Sequence, residues 1–201
     1  MTTYAYVGCR TSVWRGARGK GIEVFCIDKS GTWQFLQRVK SVQDNPSWLT
    51  PDPVRNLMYV LHGDGDRVAV FARDTTTGLL TLLNDQTTGP HHLHPDLDPK
   101  RRNNPVSSAL TPDGSALLIA NHESGNIATL PIHQNALLAP SHLAEIRGHV
   151  TEPEQIPSLS RPHEIVFAPE SPFLPFPHKA AQRVMALIWF ACTSGNTPRQ
   201  S

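Results

Sequence analysis

Residues 45–73, NPSWLTPDPVRNLMYVLHGDGDRVAVFAR, decide the fold, because their plan returns twice further along the chain. A residue followed by proline opens each copy. A short strand then runs into a proline-bearing turn, and two more strands follow around a polar hairpin. The second copy is residues 104–130, NPVSSALTPDGSALLIANHESGNIATL, and the third is residues 161–187, RPHEIVFAPESPFLPFPHKAAQRVMAL. Aligned on Pro46, Pro105 and Pro162, the copies are 59 and 57 residues apart. Self-similarity at a fixed period is the mark of a repeat architecture.

Upstream of the first full copy lies a shorter version. YAYVG (4–8), GIEVFCID (21–28) and TWQFLQRVK (32–40) give three strands that lack the opening one, with a Gly/Arg loop at 15–20 between the first two. The first full copy closes with LLTLLNDQTT (79–88), which makes four strands. The second closes with LLAPSHLAEI (137–146), read as one strand. Two connections separate the units. Residues 89–103 are rich in Pro, His and charge, and residues 147–160 precede the third copy. No long stretch shows apolar residues at helical spacing, so the chain is expected to be all-β. Repeated four-stranded units are what β-propeller blades are made of. A sandwich would also have many short strands, but it would not repeat one plan three times. The blades are expected near residues 4–41, 45–88, 104–147 and 161–187, within a partial propeller over 1–184, with a divergent tail over 185–201.

Composition narrows the function. With 39% hydrophobic and 17% charged residues the 201-residue chain can bury a core. A net charge of +1 offers no electrostatic footprint for nucleic acid or an anionic membrane. Cys9, Cys26 and Cys192 are odd in number and lack metal-ligand spacing, and the N-terminus MTTYAYVGC enters strand pattern directly. A reduced, cytoplasmic protein is the expectation.

The strings YVGCRTS, GIEVF, NPSWL, HGDGDRVAVF, NPV, IANHESGNIATLPI and RPHEIVFAP together resemble the β-propeller lactonase family. That family includes the bacterial 6-phosphogluconolactonase type and the fungal carboxymuconate-cyclising enzymes. The resemblance runs from residue 4 to about 184. It implies a seven-bladed propeller of which this chain holds the first three blades and part of a fourth, so that the chain reads as truncated or frame-shifted. Two departures stand out. Ser107 occupies a position where relatives commonly carry histidine. Pro172, Pro175 and Pro177 surround the expected central strand of the last copy, where they would confine it to an edge or abolish it.

Several residues carry a chemical and a plainer reading. His163 caps a strand turn or, as the resemblance implies, is the active-site histidine at the start of the innermost strand of blade four. There it would take a proton from water attacking a lactone carbonyl. The resemblance likewise implies substrate contacts from Arg10, Asn104 and Arg161, with guanidinium groups holding an anionic sugar lactone such as 6-phosphogluconolactone. Arg15, Arg18 and Lys20 form a basic loop that is otherwise simply solvated. Its glycines do not follow a strand and open a helix, which disfavours a nucleotide loop. GDGD (63–66) lacks the remaining ligands of a calcium loop and reads as a hairpin turn. His91, His92 and His94 lack a fourth convergent metal ligand. Trp14, Trp33, Trp48 and Trp189 read as packing between blades. Ser107 and Ser108 lack the context of a hydrolase nucleophile. Lactone hydrolysis of this type requires no metal or organic cofactor. The alternative is a non-catalytic propeller fragment that binds another protein, and open blade faces would allow self-association.

Overall fold

The computed structural model describes residues 2–40, 43–90, 102–146, 161–167, 173–178 and 183–188. Fourteen strands account for nearly all regular structure among them, and the one helical element is a 3-10 turn at Val13–Arg15. The strands form successive antiparallel sheets in chain order. The first holds β1 (Thr3–Gly8), β2 (Ile22–Ile27) and β3 (Trp33–Val39). The second holds β4 (Pro46–Asp52), β5 (Leu57–His62), β6 (Arg67–Arg73) and β7 (Leu80–Thr87). The third holds β8 (Pro105–Leu110), β9 (Ala116–Asn121), β10 (Asn126–His133), the two-residue β11 (Ala136–Leu137) and β12 (His142–Glu145). A hairpin of β13 (Phe173–His178) and β14 (Arg183–Ile188) follows.

The second and third sheets repeat in register as well as in order. Pro46 pairs with His62 and Pro105 with Asn121, and in both sheets the register shifts by one residue immediately afterwards, before Trp48 and before Ser107. Equivalent prolines therefore begin equivalent inner strands. Each tolerates proline because it is the first residue of its strand.

Stacking explains why β5 and β9 are almost wholly apolar rather than alternating. Leu57, Tyr59 and Leu61 pack with Val68 and Val70 against Leu117, Ile119, Ala128, Leu130 and Leu137 of the third sheet. Met58 and Val60, pointing the other way, pack with Ala69, Phe71 and Leu80 against Ile22 and Val24 of the first sheet. The third sheet repeats the arrangement, with Leu118, Ala120 and Ile127 covered by Ile165 and partly by Phe167. A strand sandwiched between two sheets loses the polar face that creates period-two alternation. Close approach at the opposite edge depends on Gly78 (φ 75°), where a Cβ would meet the Tyr4 ring at 2.4 Å. The Tyr6 hydroxyl donates to the Gly78 carbonyl at 2.8 Å, tying the first sheet to the second.

Several expectations need correction. Residues 137–146 are not one strand: Leu138–Ser141 bulge opposite Leu130 and Pro131, and β11 and β12 pair separately with β10. Pro140 lies within the bulge, where its missing N–H breaks no ladder. The proline-rich segment keeps the edge reading: it forms β13, one strand of a two-stranded hairpin, paired with β14 from Phe173↔Ile188 to His178↔Arg183, with Pro172 outside the described residues. The Pro175 carbonyl faces Val166, whose N–H it accepts at a long 3.5 Å. Backbone groups of residues two apart share one strand edge, so both missing N–H groups, at 175 and 177, face residues 161–167 and leave the β14 ladder intact. Residues 163–167 accordingly carry no ladder of their own. Finally, Trp14 and Trp33 are 70% and 53% exposed rather than packed between blades. Trp48 does lie between sheets, donating to the Ser108 carbonyl at 3.3 Å. Trp189 is outside the described residues.

Candidate functional site

The β1–β2, β5–β6 and β9–β10 turns all sit at one end of the stack, beside the starts of β4 and β8 and residues 161–163. One device recurs there. Asn45 and Asn104, immediately before the inner-strand prolines, adopt left-handed φ values of 56° and 50°, which asparagine tolerates better than most residues. The Asn45 Oδ1 accepts the N–H groups of Thr11 (2.9 Å) and Ser12 (3.1 Å) from the preceding turn. The Asn104 Oδ1 accepts the Asp64 N–H at 2.7 Å, again from the preceding turn. Each carboxamide latches one sheet to the next.

Asp64 gathers the basic loop onto this end. Arg10 Nη1 donates to its Oδ2 at 2.8 Å, Arg15 Nε does so at 2.6 Å, Arg15 Nη2 bonds to Oδ1, and Asn45 Nδ2 adds a contact at 3.0 Å. The Arg15 guanidinium also lies 4.5 Å over the exposed Trp14 ring, and its bonds to Asp64 raise its already high pKa. Beside these groups is a groove of about 290 Å³, bounded by Trp14, Asp44, Asp64, Asp66 and Arg102 among others.

The third copy departs from the latch. Arg161 occupies the place of Asn45 and Asn104 and offers no acceptor. His122, on the β9–β10 turn, bridges instead: its Nδ1 is 3.3 Å from the Pro162 carbonyl oxygen. The His122 ring meets that of His163 edge to face, with centroids 5.4 Å apart and planes at 84°. His163 is exposed and Arg161 half-buried. Ser107 also serves this junction, its Oγ accepting the Ile165 N–H at 3.1 Å. Ser108 hydrogen-bonds with Thr50 at 2.8 Å. Both hydroxyls therefore join sheets.

Contacts thus connect the four residues singled out in the sequence: Arg10 holds Asp64, Asp64 holds Asn104, the Asn104 carbonyl accepts the His122 N–H at 3.1 Å, and His122 abuts His163 beside Arg161. Asp64, Asn45 and His122 were not singled out. Alignment of ANHESG on LHGDGD would have flagged His122, because it stands where the preceding turn has Gly63. His91, His92 and His94 lie outside the described residues, and no group of three metal-ligating side chains occurs among the described residues.

Burial lowers the pKa of both His62, whose Nδ1 meets the Asp44 carbonyl, and His122. Unfolded, each binds a proton near its ordinary 6.5. Folded, each binds it only at lower pH, so the unfolded chain takes up more protons as pH falls below that value. Stability is therefore expected to drop between about pH 7 and about pH 5. The urea midpoint measures it, and His62→Gln and His122→Gln should each flatten the dependence.

The chain matches the family model described as "Lactonase, 7-bladed beta-propeller" over residues 4–188. Among solved structures it is similar to a Bacteroides fragilis protein to which a 6-phosphogluconolactonase activity has been ascribed, at 26% identity and a TM-score of 0.72, covering 92% of this chain and 48% of that one. A Bacteroides uniformis protein with the same ascription is 23% identical, with a TM-score of 0.73 and coverage of 94% and 51%. A periplasmic gluconolactonase of Pseudomonas aeruginosa is also 23% identical, with a TM-score of 0.73 and coverage of 92% and 50%. Comparison with curated proteins finds no match. The chain spans about half the length of these solved relatives. Family match, register-repeated sheets and stacking agree: the chain belongs to the seven-bladed β-propeller lactonase family.

Proposed function

We propose that this chain carries one mouth of a lactone hydrolase that opens a sugar lactone with water, residues 1–184 supplying the first three blades and part of a fourth. The supporting observation is the exposed His163 beside Arg161, at the end of the stack that also gathers Arg10 and Asn104. Family membership and the similarity to the B. fragilis protein supply the reaction class.

In this reading the neutral His163 imidazole removes a proton as water oxygen adds to the lactone carbonyl carbon. The carbonyl becomes a tetrahedral oxyanion, which a guanidinium stabilises. Its collapse breaks the bond to the ring oxygen, which takes the proton from the imidazolium. The product is a hydroxy acid, and its ionisation releases one proton. Arg161 and Arg10 hold the anionic substrate, and the Asn104 amide NH₂ donates to a sugar hydroxyl. The test follows acid release from 6-phosphogluconolactone and from gluconolactone. It uses this chain alone and this chain followed by the remaining blades of a family member. Activity of the extended chain supports the reading, and a folded extended chain inactive on both lactones overturns it. Free thiols at Cys9 and Cys26 accord with a reducing compartment.

A second reading, a non-catalytic scaffold that binds protein, is favoured by one surface. On the face of the first sheet turned away from the second, Phe25 stacks with Trp33 and Phe35 at 5.5 and 5.9 Å, and Trp33 and Phe35 are each 53% exposed. Exposed aromatic clusters of this kind mark association surfaces. The 201-residue chain is expected to self-associate at micromolar concentration, with the double variant Trp33→Lys, Phe35→Lys shifting it towards monomer. Sedimentation showing a monomer at every concentration would contradict this.

A further inference from the structure

We propose that His122 is a positioning residue for His163, an inference that rests on reading His163 as the base. At the first two sheet junctions a turn N–H donates to the carboxamide of Asn45 or Asn104. Arg161 removes that acceptor at the third junction. His122 restores the connection with polarity reversed: an imidazole N–H on the turn donates to the backbone carbonyl of Pro162, the residue directly before His163. The equivalence of the turns is fixed by their backbones, since the His122 N–H bonds the Asn104 carbonyl as the Gly63 N–H bonds that of Asn45. At Gly63 a Cβ would lie 2.6 Å from the Ser47 hydroxyl, which would have to turn away to admit a side chain. At the third junction the corresponding volume is filled by the imidazole, 93% buried by the surrounding structure at 7% exposure.

The arrangement does two things to His163. The bond to Pro162 fixes the backbone from which the His163 side chain springs, and the edge-to-face ring contact restricts how that side chain turns. It also sets the His122 tautomer. The Pro162 carbonyl can only accept, so the proton must be on Nδ1, which leaves Nε2 bare. Burial favours the neutral ring, so no second cation is added beside Arg161 and His163, while Glu123 is the acidic neighbour.

The experiment is ¹⁵N and ¹³C resonance spectroscopy of the 201-residue chain with labelled histidine, which needs no turnover. At neutral pH the His122 proton is expected on Nδ1. His122→Phe keeps a ring and loses the donor, and His122→Gln keeps a donor and loses the ring. Displacement of the His163 ring resonances in either variant, beyond that of the exposed His133 and His142, supports the proposal. A proton on Nε2 of His122, or His163 signals that move no more than those two controls in both variants, overturns it. The tautomer decides the matter even if the variants fail to fold. Loss of this pairing would leave the lactonase reading standing, whereas an active extended chain indifferent to His163→Ala would sink the reading of His163 as base and leave the pairing intact.

Discussion

His163→Ala, placed in the chain extended by the remaining blades, is expected to lower the rate of lactone opening by about 10²–10⁴-fold, the usual contribution of a positioned general base. Substrate contacts through Arg10, Asn104 and Arg161 do not depend on the imidazole. The loss should therefore fall on kcat, with KM little changed. The 201-residue chain alone should behave differently. It keeps the base, but most of the acceleration in such reactions comes from preorganised charge at the oxyanion. Among the described residues, Arg10 is engaged with Asp64, which leaves Arg161 as the guanidinium beside His163. The short chain should open the lactone little faster than buffer. Acid release measures both expectations. Strong turnover by the short chain would show that its own groups suffice.

Ile119→Ala should be strongly destabilising. The side chain is fully buried between the second and third sheets, among Tyr59, Leu61, Val70 and Leu130. Deleting three carbons there loses their transfer energy and opens a cavity between two hydrogen-bonded sheets that cannot readily collapse, at a cost of about 2–5 kcal/mol. For a chain of this size that corresponds to a fall of roughly 4–20 °C in Tm. Leu82→Ala supplies the contrast: this side chain is 47% exposed on β7, and its loss should change stability by no more than about 0.5 kcal/mol. Equal effects of the two substitutions in thermal melts would mean that the sheets do not stack as described.

The repeat was legible because the plan of each sheet is written locally. A residue-proline start, a proline turn and a polar hairpin recur at Pro46 and Pro105, and the structure gives them matching registers. The break at Pro140 was harder to see, since apolar residues on both sides of it continue the strand pattern. The prolines of β13 confine it to an edge for a geometric reason. Their spacing of two puts both missing N–H groups on one edge, so one ladder survives while the other fails. Composition alone does not distinguish that arrangement from a broken strand.

At the candidate site, His163 and the arginines are proposed through resemblance to a family. What orients them was not legible in the sequence. Asp64 reads as one residue of a GDGD hairpin, and only the fold reveals that it collects Arg10, Arg15 and Asn45. His122 reads as a polar turn residue until the third sheet meets residues 161–163. Trp14 looked like core because it is large and aromatic, yet it stands on a 3-10 turn with Arg15 over its face. Contacts between turns of different sheets leave no periodic trace in the sequence.

On the reading proposed above, the lactone binds at the end of the stack bearing His163. The most direct measurement titrates the 201-residue chain, with labelled histidine and arginine side chains, with 6-phosphogluconate, the ring-opened product. The resonances of His163, Arg161 and Arg10 are expected to move together and saturably, with His133 and His142 unmoved. Shifts confined to His133 or His142, or none at His163 and Arg161 at saturating product, would contradict this reading.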